Sequence, residues 1–423
     1  MDREDAGAHT RLAKSRRRLY LDRNLLVVFG VTLMSIMGVA NLTPAFPLIG
    51  LAFGIPRESI GLLIVAFTIP GIFLTPILGV SADRFGRKAI LVPSLLLFGA
   101  AGTACAFAPT FTILLILRIL QGAGCASLGA LNVTLIGDLY GRRDQPEAMG
   151  YNASITGIGT AVYPAIGGVL AAFVGWFAPF LMTIVAIPIA LIVLVALEKT
   201  EQQRKTSFRQ YLGQAWPALR NRQVFGIFAG SLVTFILTYG ALTTFGPYLP
   251  IFGTNPLLVG LVMFILSVAT ALTATQIGTW IRRYSGKRLL AVAYSLYAAS
   301  MLLVITLPAA WASYVYPVAP QIPVIISIII PAAIFGVAQG LNIPILQTLL
   351  IGSAPPAYRG ALTSIMVTVF WLGQTLGPVV MSVVSLYADL AGVFFFGALL
   401  ALVMVPVVAG TIRSRRAGGD FDH

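Results

Sequence analysis

Residues 59–88 read Ser59-Ile60-Gly61-Leu62-Leu63-Ile64-Val65-Ala66-Phe67-Thr68-Ile69-Pro70-Gly71-Ile72-Phe73-Leu74-Thr75-Pro76-Ile77-Leu78-Gly79-Val80-Ser81-Ala82-Asp83-Arg84-Phe85-Gly86-Arg87-Lys88, and this stretch decides the fold class. From Ser59 to Ala82 there is no charge, and the apolar residues run without the period-two alternation of a barrel strand. Hydrocarbon offers no hydrogen-bond partners, so a crossing segment must satisfy its own backbone, and a continuous apolar run of about twenty residues does so as a helix. The charged cluster from Asp83 to Lys88 then marks the edge of the bilayer.

The same alternation of apolar run and short polar break recurs along the chain. It gives twelve spans, at 24–49, 59–82, 89–108, 111–138, 148–173, 177–197, 223–247, 257–281, 289–307, 324–351, 360–386 and 391–412. Composition agrees: 58% of the 423 residues are hydrophobic, 10% are charged and the mean hydropathy is +0.90, against about half and a quarter in a soluble domain. The expected fold is an all-α integral membrane protein. Gly38-Val39-Ala40 has the small-x-small look of a signal cleavage site, but the apolar run continues to Gly50, so the segment reads as a span.

Charge sets the expected orientation. With the amino terminus inside, 26 of the 28 Lys and Arg residues fall on the inner side, while Arg57 lies opposite and Arg118 lies within a span. Both termini are thus expected in the cytoplasm, with the protein in the plasma (inner) membrane. The net charge of +14 is then a topology signal and not a nucleic-acid footprint. Cys105 and Cys125 lie in apolar runs and read as packing residues. His9 and His423 sit in the tails, so no metal site, cofactor site or nucleophile–base pair is apparent, and no enzyme is expected.

Five segments follow: a tail 1–23, spans in 24–197, a linker 198–222, spans in 223–412, and a tail 413–423. In the linker Phe208, Tyr211, Leu212, Ala215, Trp216 and Leu219 recur at helical spacing, which fits an amphipathic surface helix; a mobile tether fits as well. The two sets of six spans look like a diverged repeat. Gln121-Gly122 answers Gln339-Gly340, and Gly159 with Pro164 answers Gly373 with Pro378.

Gly79 to Lys88 resembles the loop signature of the major facilitator superfamily, through Gly79, Asp83, Arg84, Gly86 and Arg87. In span 4, Arg118, Gln121, Gly122 and Gly124 resemble a second signature, that of its drug-exporting members. In span 5, Gly159 to Gly168 resembles the antiporter signature of drug–proton exchangers, with Tyr163 where a glycine usually precedes Pro164. The resemblance implies the major facilitator fold, twelve helices in two six-helix bundles with substrate bound between them by alternating access. It also implies that Asp83 meets the start of span 11 near Gly360 and latches the inner side.

Helical spacing puts Arg118, Gly122, Cys125, Gly129 and Asn132 on one stripe, read as facing a central cavity. Further lining is expected from Met34, Met37 and Asn41 on span 1, Phe235, Tyr239 and Thr243 on span 7, Phe335, Gln339 and Asn342 on span 10, and Trp371 and Gln374 on span 11. Such a wall of methionines, aromatics and amides suits lipophilic compounds of mixed structure. None of the 14 acidic residues falls in mid-span. If protons are exchanged, Asp138 at the inner end of span 4 is the nearest carboxylate, with Asp83 next. The expected activity is export of small organic compounds by a monomer in the bilayer. Uptake of a sugar or metabolite, or a receptor without flux, stands as the alternative.

Overall fold

In a computed structural model, the residues described are 19–141, 144–197, 221–251, 256–314, 321–353 and 359–412; the linker helix expected within 198–222 therefore lies almost wholly outside them. Among the described residues twelve helices are long and apolar enough to cross a membrane. They are α1 (Arg23–Phe53), α2 (Leu62–Phe85), α3 (Arg87–Cys105), α4 (Phe111–Leu139), α5 (Glu147–Phe173), α6 (Ala178–Ala196), α7 (Arg222–Thr244), α8 (Pro256–Ile281), α9 (Gly286–Leu307), α10 (Ser327–Ser353), α11 (Ile365–Tyr387) and α12 (Ala391–Thr411).

Because α1 to α12 alternate in direction, the start of α1, the end of α12 and the join between α6 and α7 share one face, here the terminus face. Lys88 Nζ, at the start of α3, donates to the Leu197 carbonyl just past α6 on this face. Between α2 and α3 the expected polar loop shrinks to Gly86, whose φ of +94° makes the whole turn. A side chain there would be strained.

Two spans are interrupted. In α1 the α-helix stops at Ala40, a short 3-10 turn holds Thr43–Ala45, and the helix resumes at Phe46; Pro44 and Pro47 lack the N–H that would carry it through. In α4 the break falls between Cys125 and Leu128. The Ala126 carbonyl at that break accepts a hydrogen bond from Thr75 Oγ1 of α2 at 2.8 Å, which satisfies a group that lipid would leave bare.

The buried apolar residues form two clusters, one drawn from Leu25 to Leu197 and one from Val224 to Ile412. Both halves pack in the same order. In the first, α4 lies on α2 and α3, α6 on α3, and α5 on α1; in the second, α10 lies on α8 and α9, α12 on α9, and α11 on α7. Close backbone approach recurs at matching places. Gly167 of α5 fits against the Asn41 carbonyl of α1, and Gly377 of α11 against the Ile236 carbonyl of α7. The repeat therefore gives two six-helix bundles.

Candidate functional site

The bundles meet along two seams that mirror each other, α2 with α11 and α5 with α8. On the first, Ser382 Oγ donates to the Glu58 carbonyl at 2.8 Å, and the Thr68 and Thr375 hydroxyls lie 2.8 Å apart. Deeper, the Trp371 indole sits where a side chain on Gly71 would be. On the second, Gly168 and Gly260 bring backbones together: a Cβ on Gly260 would stand 2.8 Å from the Pro164 carbonyl, and one on Gly168 at 2.8 Å from that of Pro256.

These contacts belong to the half of each helix away from the terminus face. Gly71 lies about 14 Å along α2 from its far end, near mid-membrane. Towards the terminus face the same helices carry Gly79 (α2), Gly150 (α5) and Gly278 (α8), and a Cβ at any of them would meet nothing within 4 Å. The seams are thus shut on the far side and unpacked at these positions on the terminus side. Gly79 of the loop signature thus makes no close helix contact here.

Aromatic side chains floor the shut half. Phe235 of α7 stacks on Phe370 at 4.3 Å between centroids and on Tyr239 at 6.1 Å, and Trp371 lies 6.3 Å from Phe67 of α2. Tyr239 and Trp371, residues of the second bundle, pack against the core of the first. Gln339 and Gln374 are half-buried like them, and Gln339 Oε1 lies 3.5 Å from the Thr270 hydroxyl of α8 within the second bundle.

Others are used differently. Met34 and Met37 are buried in the first core. Asn41, also buried, gives its amide to the Pro179 carbonyl of α6 at 2.8 Å, which braces the break in α1. Asn342 is fully buried within the second bundle, where its Oδ1 accepts from Thr234 at 3.1 Å, and the Tyr294 hydroxyl closes the group on the Gly230 carbonyl. Tyr163 is buried in the first core, beside Gly159.

Arg118 is 0% exposed and points between α1 and α2. Its Nη1 donates to the Gly38 carbonyl at 2.9 Å and to Gln121 Oε1 at 2.7 Å, its Nε donates to the Leu63 carbonyl at 3.1 Å, and the guanidinium lies 4.3 Å from the centre of the Phe67 ring. Nη2 is buried without a partner. The expected stripe forms but faces α1 and not a cavity: Arg118 bonds the Gly38 carbonyl, Cys125 Sγ lies 3.6 Å from the Ser35 carbonyl, and Asn132 bonds Thr32. Gly122 packs on the Phe67 backbone, and the Thr32 hydroxyl in turn bonds Asn152.

At the terminus face Arg87 binds two acids: Nη1 lies 2.6 Å from Asp83 and Nε 3.0 Å from Asp138. This clip joins α2, α3 and α4 inside one bundle, so Asp83 pairs here with its own side and not across to α11. Arg84 is exposed and lies over Phe85. Replacing Arg87 with glutamine is expected to destabilise the first bundle by about 1–2 kcal/mol, since Arg87 and Asp138 are largely buried while Asp83 is partly screened by water. A thermal melt of the purified protein checks this.

The profile of the Major Facilitator Superfamily matches residues 28–327 and again 237–420. The chain belongs to the Major Facilitator Superfamily. Solved superfamily-like structures agree at the level of fold. The nucleoside transporter NupG superposes with a TM-score of 0.74 at 15% identity, covering 92% of this chain and 100% of NupG. A D-xylose-proton symporter gives 0.72 at 16%, covering 93% and 98%. Among curated relatives, the tetracycline resistance protein, class H, of Pasteurella multocida is 23% identical over 87% of this chain and 90% of its own length. The Bacillibactin exporter of Bacillus subtilis is 32% identical, but the match spans 37% of this chain and 41% of the exporter.

The sequence suggested no cross-bundle partner for Thr68, Thr375, Ser382, Gly168 or Gly260. The available signal was slight: lone hydroxyls and glycines within apolar spans.

Proposed function

We propose that this superfamily member exports small lipophilic organic compounds from the cytoplasm by alternating access, and that it works as a carrier without covalent catalysis. The observation that carries the reading is the pair of seams: shut on the far side, unpacked on the terminus side, with an aromatic and amide wall between. The lysine and arginine distribution supports a cytoplasmic terminus face. This conformation is then the one that takes up substrate from the cell. Opening outwards requires the seams to part and the terminus side to close, at which point Asp83 is free to exchange Arg87 for the backbone N–H groups at the start of α11.

The resemblance to drug resistance proteins supports outward flow of mixed lipophiles, and Tyr239, Trp371, Gln339 and Gln374 are proposed to hold them. Proton exchange, if it operates, runs through Asp138 and Asp83. Asp138 is the acid nearest to mid-span in the sequence, with Asp83 next, and both are tied to Arg87. The symporter and nucleoside transporter neighbours share this fold, so uptake of a sugar or metabolite is the competing reading.

Flux in proteoliposomes separates the two. Export predicts that a lipophilic dye loaded opposite the terminus face is accumulated less than one presented to it. Equal movement of a sugar or nucleoside, with no dye transport, overturns the proposal. An imposed pH gradient that leaves dye flux unchanged removes the proton step alone.

A further inference from the structure

The described carboxylates, Asp22, Glu58, Asp83, Asp138, Asp144, Glu147 and Asp389, all stand at or beside helix ends. The other seven acidic residues fall in the two tails and the linker. Among the described residues, the depth of the membrane therefore holds no negative side chain. It does hold a positive one. Arg118 has three neutral oxygens for partners and no carboxylate, and one of its nitrogens has no acceptor.

A buried cation without a counter-ion leaves its field uncancelled in a medium that screens poorly. That field reaches the bundle boundary through a short path. The guanidinium lies 4.3 Å from the Phe67 ring, and this ring lies 6.3 Å from Trp371, a residue of the opposite bundle at the chamber wall.

We infer that the chamber selects by charge: it takes aromatic or amphipathic compounds that are anionic or neutral, and disfavours permanent cations. This rests on the export reading of the same chamber and adds the substrate class. At about 10 Å and an effective dielectric near 20, one unit charge is worth more than a tenfold difference in affinity. Opposite signs of the same shape then differ by roughly a few hundredfold. An anion also leaves a cell whose interior is negative in the direction the potential favours, by about 50-fold per 100 mV. Its export needs no titrating carboxylate at mid-membrane.

The test uses two ions of matched shape, tetraphenylborate and tetraphenylphosphonium, on the full purified chain, with binding read by quenching of tryptophan fluorescence. The expected result is that the borate binds at least tenfold more tightly than the phosphonium. The ratio should fall at least tenfold in Arg118→Gln and be retained in Arg118→Lys. Comparing ratios between variants removes the intrinsic difference in hydration of the two ions. Equal or tighter binding of the phosphonium to the unaltered chain overturns the inference while leaving an export chamber in place. A borate preference undiminished in a folded Arg118→Gln also overturns it. If neither ion binds, the aromatic chamber fails, and the export reading with it. Should Arg118→Gln not fold, the ratio for the unaltered chain is set against the partition ratio of the two ions into protein-free micelles of the same detergent, and a chain ratio no greater than that overturns the inference.

Discussion

Replacing Gly260 with leucine is expected to reduce transport at least tenfold while the protein inserts and folds. At this position α5 and α8 touch backbone to backbone, and a Cβ would stand 2.8 Å from the Pro164 carbonyl. That carbonyl belongs to a helix and cannot swing aside as a side chain would. The bulk presses on the contact between bundles and not on the core of either. Overpacking of this kind costs about 1–3 kcal/mol, all of it borne by the conformation shut on the far side. The balance between the two conformations therefore moves by a factor of about five to 150 in favour of the far-open one. Spin labels placed at the far ends of α5 and α8 should separate by several ångströms, and substrate should still bind from that side. Normal flux with an unchanged label distance would refute the role given to this seam.

The second large effect is expected from Trp371→Ala. The indole fills the place over Gly71, approaches Phe67 and packs against the core of the first bundle from the second. Its removal takes an aromatic wall from the chamber and a plug from the α2–α11 seam. Loss of such an anchor costs about 2 kcal/mol or more in binding, roughly thirtyfold in affinity for a lipophilic substrate. Trp371→Phe should restore most of it, because the contact is apolar and no hydrogen bond is used. An affinity that Trp371→Ala leaves within twofold would show that substrate binds elsewhere.

The class of fold was open to reading from residues 59–88 alone, because lipid imposes one solution on a long uncharged run. The repeat was also legible, since glycines and prolines that set helix contacts recur in both halves. What escaped was the direction in which particular side chains point. The stripe from Arg118 to Asn132 keeps one face of α4, but that face lies against α1, where Gly38, Ser35 and Thr32 take up Arg118, Cys125 and Asn132. Arg118 was expected to seek water, but Gly38 and Leu63 offer it carbonyls inside the bundle. Asn41 and Asn342 looked like lining because amides in a span are costly without partners. Their partners turned out to be backbone and hydroxyl groups of neighbouring helices. A single sequence does not reveal such tertiary pairings, nor that Tyr239 and Trp371 of the second bundle pack against the core of the first.

The cage around Arg118 also bears on how the chain is made. An arginine at that depth opposes insertion by about 2.5–3.5 kcal/mol; besides Gln121 of its own helix, the oxygens that relieve it belong to Gly38 and Leu63. Both precede Arg118 in the chain, so they have already left the ribosome when the fourth helix emerges. Synthesis from the amino end thus delivers the acceptors before the donor needs them. A circularly permuted chain in which residues 111–139 are translated ahead of residues 23–85 would strand the guanidinium in lipid, and should stall or be degraded during biogenesis.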